Sequence, residues 1–214
     1  MQKNEDHDKY GEHWDKIYNK ADESKLGWFE TDLTPTLDLI LKAGIGSHKR
    51  VLNVGAGATT LIDILLERGF DNLIATDISA FALEMLKTRI GSLAENVEWI
   101  IDDLTKPRLL TEIGLVDVWI DRAVLHFFTE EDDQNTYFRL LRKILHKYGY
   151  VIFAEFSHDG ADVCSGLPVH QYDVAQYQEK LGAQFKLIDS FNYRYTMPSG
   201  DVRPYVYALF QKIA

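Results

Sequence analysis

A chain of 214 residues, 46% hydrophobic and 12% aromatic, is long enough for one domain with a large buried core. Its formal net charge of −10 argues against a general affinity for nucleic-acid backbones, because phosphate contacts depend on Lys and Arg. A lone cysteine, Cys164, cannot close an internal disulfide, residues 1–8 are too polar for a secretory signal, and no apolar run reaches membrane-spanning length, so a cytoplasmic protein is expected.

Residues 1–12 read as a solvated, flexible tail, ahead of a single domain over 13–214. Residues 13–33 are dense in aromatics for a charged segment, with Trp14, Tyr18, Trp28 and Phe29. Either Trp14 and Ile17 anchor a helix on the core, or the segment is an aromatic cover over a ligand. Thr34-Pro35 reads as N-cap and first helical residue, with Leu37, Ile40 and Leu41 on one face and Gly44 as terminator.

The run Val51-Leu52-Asn53-Val54 ends in Gly55-Ala56-Gly57, and a helical apolar pattern from Leu61 follows at once. That spells a buried parallel strand, a tight glycine turn and a helix. Glycine suits such a turn because φ can be positive and no Cβ blocks an approaching ligand. The N–H groups and helix dipole there favour an anionic or hydroxyl-rich ligand. A second strand ends in Asp77, about twenty residues past the turn, where an acid can hold a ribose in a βαβ unit. Ser79 can cap the next helix. A third strand over 97–101 ends in Asp102-Asp103, two acids that need solvent or a partner. The fourth strand closes in Asp121-Arg122, which pair with each other or face a ligand, and His126 either packs or acts as a base. Thr129 before Glu130, Glu131 and Asp132 marks a helix start. A fifth strand over 151–156 precedes an aperiodic stretch, 157–172, of a length that is usually functional. His158, Cys164 and His170 in it match no common zinc spacing, so no metal site is expected. Asp173 caps a further helix, and two β-rich runs joined by 197–201 make a terminal hairpin.

The stretch 51–60 resembles motif I of the class I S-adenosylmethionine-dependent methyltransferases, and Asp77-Ile78 resembles their motif II. Asp117-Val118-Trp119-Ile120-Asp121-Arg122-Ala123-Val124-Leu125-His126 resembles motif IV, in the Asp-Arg-Ala form of the thiopurine-methyltransferase-like branch. Residues 13–30 look like the N-terminal cover of that branch and of protein-lysine methyltransferases. The segment 165–169 is similar to the branch's Gly-Pro-Pro loop. Two positions depart from the pattern: Asn53 stands for the acid before the first Gly, and Thr59 for the third Gly.

The resemblance implies an α/β fold: a single Rossmann-like, doubly wound seven-stranded sheet, mostly parallel with an antiparallel C-terminal hairpin. It implies S-adenosyl-L-methionine as cofactor, bound by Gly55, Ala56, Gly57, Asp77 and Ile78, by Asp102, Asp103 and Leu104, and by Asp121 and Trp28. Asp77 would take the ribose hydroxyls and Asp103 the adenine amino group. Arg122, His126, His158 and Tyr18 are candidates for the acceptor side, and no catalytic residue is assigned. No convincing general base is visible, which leans towards a polarisable small-molecule acceptor such as a thiol. A protein-lysine methyltransferase and a non-catalytic binder of the cofactor or its demethylated product are the alternatives. No nucleic-acid or membrane partner is expected, and the sequence does not set an oligomeric state.

Overall fold

The computed structural model describes residues 5–20, 22–30, 32–57 and 59–214. Strands β1 (Val51–Val54), β2 (Leu73–Asp77), β3 (Val97–Ile101), β4 (Val116–Arg122) and β5 (Leu145–Phe156) are joined by helices α3 (Leu61–Glu67), α4 (Ala80–Ile90) and α5 (Glu131–Ile144). Helices α1 (Glu5–Lys20) and α2 (Thr34–Lys42) precede β1. After β5 come the two-residue strands β6 (Val163–Cys164) and β7 (Leu167–Pro168), helix α6 (Val174–Leu181), and strands β8 (Phe185–Thr196) and β9 (Val202–Lys212).

The main sheet has the order β3-β2-β1-β4-β5-β9-β8. Strands β1 to β5 run parallel, and β9 lies antiparallel between β5 and β8. This is the doubly wound sheet with an antiparallel hairpin that the sequence leads one to expect. The expected aperiodic stretch holds the small β6–β7 hairpin, with Cys164 opposite Leu167.

Each face of the sheet has its own core, because β1 is buried along its whole length and successive side chains alternate sides. Leu52, Val54, Trp119 and Phe153 pack with α5 and α6 residues such as Phe138 and Tyr177. Val51, Val118, Ile120 and Ile152 pack with Leu39, Leu65 and Leu86 of α2, α3 and α4. Since the chain winds in opposite directions from β1 and β4, a crevice opens beyond their C-terminal ends.

Local chemistry sets the helix ends. The Ser79 hydroxyl accepts from the Ala82 N–H at 3.1 Å, and Asp173 with Gln176 forms a reciprocal capping box on α6. Two starts lie one residue from the sequence reading. Helix α2 has Leu33 rather than Thr34 at its N-cap, and α5 has Glu130 rather than Thr129. In the latter, Glu131, Asp132 and Asp133 face the positive end of the helix dipole.

Helix α1 takes in residues 5–12 of the expected tail, while residues 1–4 lie outside the described residues. It is ordered by docking on α4: Asp15 Oδ1 accepts from the Ser79 hydroxyl at 2.5 Å and from the Phe81 N–H at 3.3 Å. Tyr18, Leu26 and Ala82 form a third apolar cluster, flanked by Trp14, Ile17 and Trp28. Tyr10, Trp14, Tyr18 and Trp28 thereby become a roof over the crevice. Among the described residues no helix is long and apolar enough to cross a membrane.

Candidate active site

Beyond the C-terminal ends of β1 to β4 lies a cavity of about 750 Å3. Its floor is Gly55, Thr76, Asp77 and Ile78, and one wall is Asp102, Asp103, Leu104, Thr105 and Lys106. Tyr10, Trp14, Tyr18 and Trp28 roof it, and Arg122, Ala123, Val124, Phe127 and Phe128 line the turn after β4. Residues 129–133 at the start of α5, with Cys164 and Leu167 of the small hairpin, complete the rim.

Asp77 is held from two sides. Its Oδ2 accepts the Gly57 N–H at 2.8 Å and its Oδ1 the Ser79 N–H at 2.9 Å. Burial pushes the carboxyl up to about 6, with these N–H groups pulling it back. Each oxygen keeps a further lone pair, so the group can accept hydroxyl donors from the cavity. Asp103 Oδ1 accepts from the Thr105 N–H and hydroxyl, both at 2.8 Å. Asp102 turns inward: its Oδ2 accepts the N–H groups of Arg108 and Leu110, both at 2.9 Å, so it organises its own loop although it borders the cavity.

The glycine turn differs from the expected bare cradle. Gly55 does line the cavity, with φ +57, and a Cβ there would meet Val124 Cγ2 at 2.0 Å. Ala56 and Gly57 do not line it. Their N–H groups are spent on the end of β2, Ala56 on the Thr76 carbonyl at 2.9 Å and Gly57 on the Asp77 carboxylate. Gly57 is needed for another reason: its φ is +47, and a Cβ would lie 2.3 Å from the Tyr18 hydroxyl. That hydroxyl accepts from Trp28 Nε1 at 3.2 Å, so the roof rests directly on the turn.

Asp121 and Arg122, adjacent on β4, do not pair, because strand neighbours point to opposite faces. Arg122 points to the roof side. Its Nε lies 3.0 Å from Glu30 Oε2, its Nη1 donates to the Trp28 carbonyl at 3.0 Å, and its guanidinium sits 4.8 and 5.0 Å from the ring centres of Tyr195 and Tyr205. Burial pushes the Glu30 carboxyl up, with Arg122 pulling it back. Arg122 thus ties the roof to the sheet and also borders a smaller cavity of about 40 Å3 shared with Glu30, Asn53 and Gly55. The Asn53 amide donates to the carbonyls of Val54 and Ile120 at 3.3 and 3.5 Å.

Besides Ala56 and Gly57, three expected site residues lie outside the cavity lining. Asp121 is fully buried behind the wall, accepting from the Tyr137 hydroxyl at 2.5 Å and the Val124 N–H at 3.2 Å. His126 is fully buried as well, Nδ1 2.8 Å from Glu155 Oε2 and its ring stacked on Phe156. His158 is exposed, 3.5 Å from Asp173 Oδ2 at the start of α6. Asp77, Ile78, Asp102, Asp103, Leu104, Gly55, Trp28, Tyr18 and Arg122 do meet at one cavity.

The sequence reading missed Tyr10, Thr76, Lys106, Phe127, Phe128 and the rim acids as lining residues. The acids at the start of α5 were legible only as partners of the helix dipole. Lining acids are Asp77, Asp102, Asp103, Glu130, Glu131, Asp132 and Asp133, against the bases Lys106 and Arg122, so the mouth is acidic. Among the described residues no group of three His, Cys, Asp or Glu could hold a metal ion.

Residues 51–149 match the model of a family described as "Methyltransferase domain". The fold is similar to that of a SAM-dependent methyltransferase from Anabaena variabilis, with TM-score 0.77 and 16% identity over 96% of this chain and 94% of that one. It is also similar to the N-methyltransferase NodS from Bradyrhizobium japonicum in complex with S-adenosyl-L-homocysteine, with TM-score 0.67 and 14% identity over 94% and 98% of the two chains. A curated relative, the mouse eEF1A lysine and N-terminal methyltransferase, is 23% identical over 141 residues. That alignment takes in 66% of this chain and 20% of the relative, so the chain spans about a fifth of the relative's length.

Proposed function

We propose that the chain is an S-adenosylmethionine-dependent methyltransferase that methylates a small-molecule acceptor in the cavity over Gly55 and Asp77, a reading supported by the methyltransferase-domain match over residues 51–149 and by the fold. The observation that carries the reading is the placement of Asp77. A carboxylate fixed by two backbone N–H groups, beside a glycine with positive φ, is a preformed acceptor for a pair of hydroxyls. Ile78 and Leu104 add apolar surface to the same lining, and Asp103 is part of it as well. These residues fit an adenosine group: Asp77 for the ribose, Ile78 and Leu104 for the faces of the base, Asp103 for its amino edge. The small cavity by Asn53 adds a buried amide oxygen with no partner among the described residues, suited to an ammonium donor.

S-adenosyl-L-methionine supplies a methyl carbon activated by the sulfonium next to it. The protein's part is alignment and exclusion of water. Trp14, Trp28 and Phe127 meet edge to face, with Trp14 5.6 Å from Trp28 and 4.9 Å from Phe127, and close the roof over the reacting end. The acidic mouth suits an acceptor that arrives as a cation better than a thiolate, which like charges repel. An amine must shed its proton before attack.

A protein amine is the second reading, favoured by the same acidic mouth and by the activity named for the mouse relative. Incubating the purified chain with methyl-labelled cofactor, a panel of small amines and thiols, and a cell extract separates these. Label in small amines supports the reading, label in small thiols moves the acceptor class, and label confined to protein bands favours the second reading. No binding of S-adenosylhomocysteine by calorimetry would reject the assignment of the cavity.

A further inference from the structure

The cavity wall that follows β4 is held from behind by one helix. Successive strand residues alternate sides, so Trp119 and Asp121 share the face of β4 that α5 covers, and Arg122 takes the other. Trp119, Asp121 and Tyr137 of α5 are all fully buried. Trp119 Nε1 donates to the Tyr137 hydroxyl at 2.8 Å, and that hydroxyl donates to Asp121 Oδ2 at 2.5 Å. An indole N–H can only donate, so the Tyr137 oxygen accepts it and the one phenolic proton is left for Asp121. The second oxygen of Asp121 accepts the Val124 N–H at 3.2 Å. Through the Asp121 carboxyl, Tyr137 thus reaches the start of the stretch 124–128.

Gln134 reaches its end. It stands three positions before Tyr137 on the buried face of α5, and its Nε2 donates to the Phe128 carbonyl at 2.8 Å. Between these two grips, the His126 N–H donates to Glu155 Oε2 at 3.2 Å, and the His126 carbonyl accepts the His170 N–H at 2.7 Å. The stretch needs holding. Ala123, just before it, has φ +65, a conformation that a residue other than glycine keeps only when its surroundings over-determine it. Val124, Phe127 and Phe128 line the cavity, and Phe127 meets Trp14 of the roof at 4.9 Å. The first turn of α5 brings Glu131, Asp132 and Asp133 to the rim, so the two grips also set the spacing between wall and rim.

We propose that Gln134 and Tyr137 are positioning residues: a two-point clamp from α5 that fixes the wall 124–128 against which the methyl acceptor is aligned. Neither lines the cavity itself. The clamp stands on the contacts above, whereas its effect on methyl transfer rests on the proposed function.

Amide hydrogen exchange on the full chain, followed by NMR, reads the clamp at named groups. Tyr137→Phe keeps the ring and removes the hydroxyl, and the Val124 amide should then exchange about tenfold faster or more. Gln134→Met keeps the bulk and removes the side-chain amide. The Phe128 carbonyl shares its peptide unit with the Thr129 N–H, which donates to the Phe127 carbonyl at 3.1 Å, so the Thr129 amide should quicken by a similar factor. The Ala56 amide, bonded to the Thr76 carbonyl, stays within about twofold of the parent in both variants. Affinity for S-adenosylhomocysteine, whose proposed contacts at Asp77 and Asp103 lie outside the clamp, also stays within about twofold. Over the same pair of variants, kcat/KM for the small amine that takes the methyl label falls about tenfold or more. Val124 and Thr129 amides that exchange as in the parent, or an Ala56 amide that quickens alongside them, overturn the clamp. Quickened amides with an unchanged kcat/KM overturn the positioning role. If Tyr137→Phe does not fold, Gln134→Met decides through Thr129. Failure of the parent to bind S-adenosylhomocysteine would reject the proposed function and leave the exchange result standing.

Discussion

Asp77→Asn separates folding from binding at one carboxyl. At neutral pH the ionised group is strained by burial: a carboxyl raised from 3.8 to about 6 costs the folded state on the order of 3 kcal/mol. The neutral amide escapes that cost. Its single oxygen, however, can serve only one of the two N–H groups, of Gly57 and Ser79, that the carboxylate accepts at 2.8 and 2.9 Å. Leaving the other unpaired costs about 1–3 kcal/mol. The two changes nearly cancel, so the variant should unfold within about 2 kcal/mol of the parent. Binding has no such compensation. A hydroxyl bonded to a charged acceptor contributes about 1.5–3 kcal/mol, so affinity for S-adenosylhomocysteine should fall roughly 10- to 150-fold. Urea unfolding and calorimetry on the same preparation measure both quantities. Parental affinity in a well-folded Asp77→Asn would refute the ribose assignment, and a loss of affinity that merely tracks a large loss of stability would refute the cancellation.

Because the Asp77 carboxyl is held up to about 6, binding that needs its ionised form should weaken about tenfold per pH unit below that value. The sign for stability is the opposite. The folded state keeps this proton longer than the unfolded chain does, so the penalty from Asp77 is absent below about pH 4 and grows as pH rises through about 6. Affinity for S-adenosylhomocysteine measured from pH 5 to 8, with Asp77→Asn as a flat reference, checks the binding half of this pair. Gly55→Ala places a methyl 2.0 Å from Val124 Cγ2 at φ +57; a loss of roughly 2–5 kcal/mol in urea unfolding is expected, and a loss under 1 would mean the turn relaxes freely. Arg122→Met leaves Glu30, 6% exposed, without its counter-ion, for which roughly 3–5 kcal/mol of stability is expected to be lost. The roof should then open, so limited proteolysis within residues 22–33 should quicken, and unchanged cleavage would show that the aromatic cluster alone keeps it shut.

What the chain by itself determined is whatever depends on short-range pattern. The apolar run at Val51, the glycines behind it and the acid closing the next strand specify a parallel strand, a tight turn and a ribose-ready position, because each requirement is met within a few residues. Capping by Ser79 and Asp173 and the terminal hairpin are legible in the same way. The tertiary structure alone decided where side chains of equal local credentials end up. Asp121 and Arg122 are neighbours in one motif, yet the pleat sends Arg122 to Tyr195, Tyr205 and the roof at Glu30, and Asp121 to Tyr137 of α5 on the other face. Nothing between residues 117 and 126 encodes that division, since the deciding partners arrive from α5, β5, the hairpin and the N-terminal segment. Gly57 makes the same point. Its freedom serves the Tyr18 hydroxyl 39 positions earlier in the chain, and a contact made across such a distance exists only once the roof has docked. Local propensity chooses the element, but the direction in which a side chain finds a partner is settled by the packing of whole elements against one another.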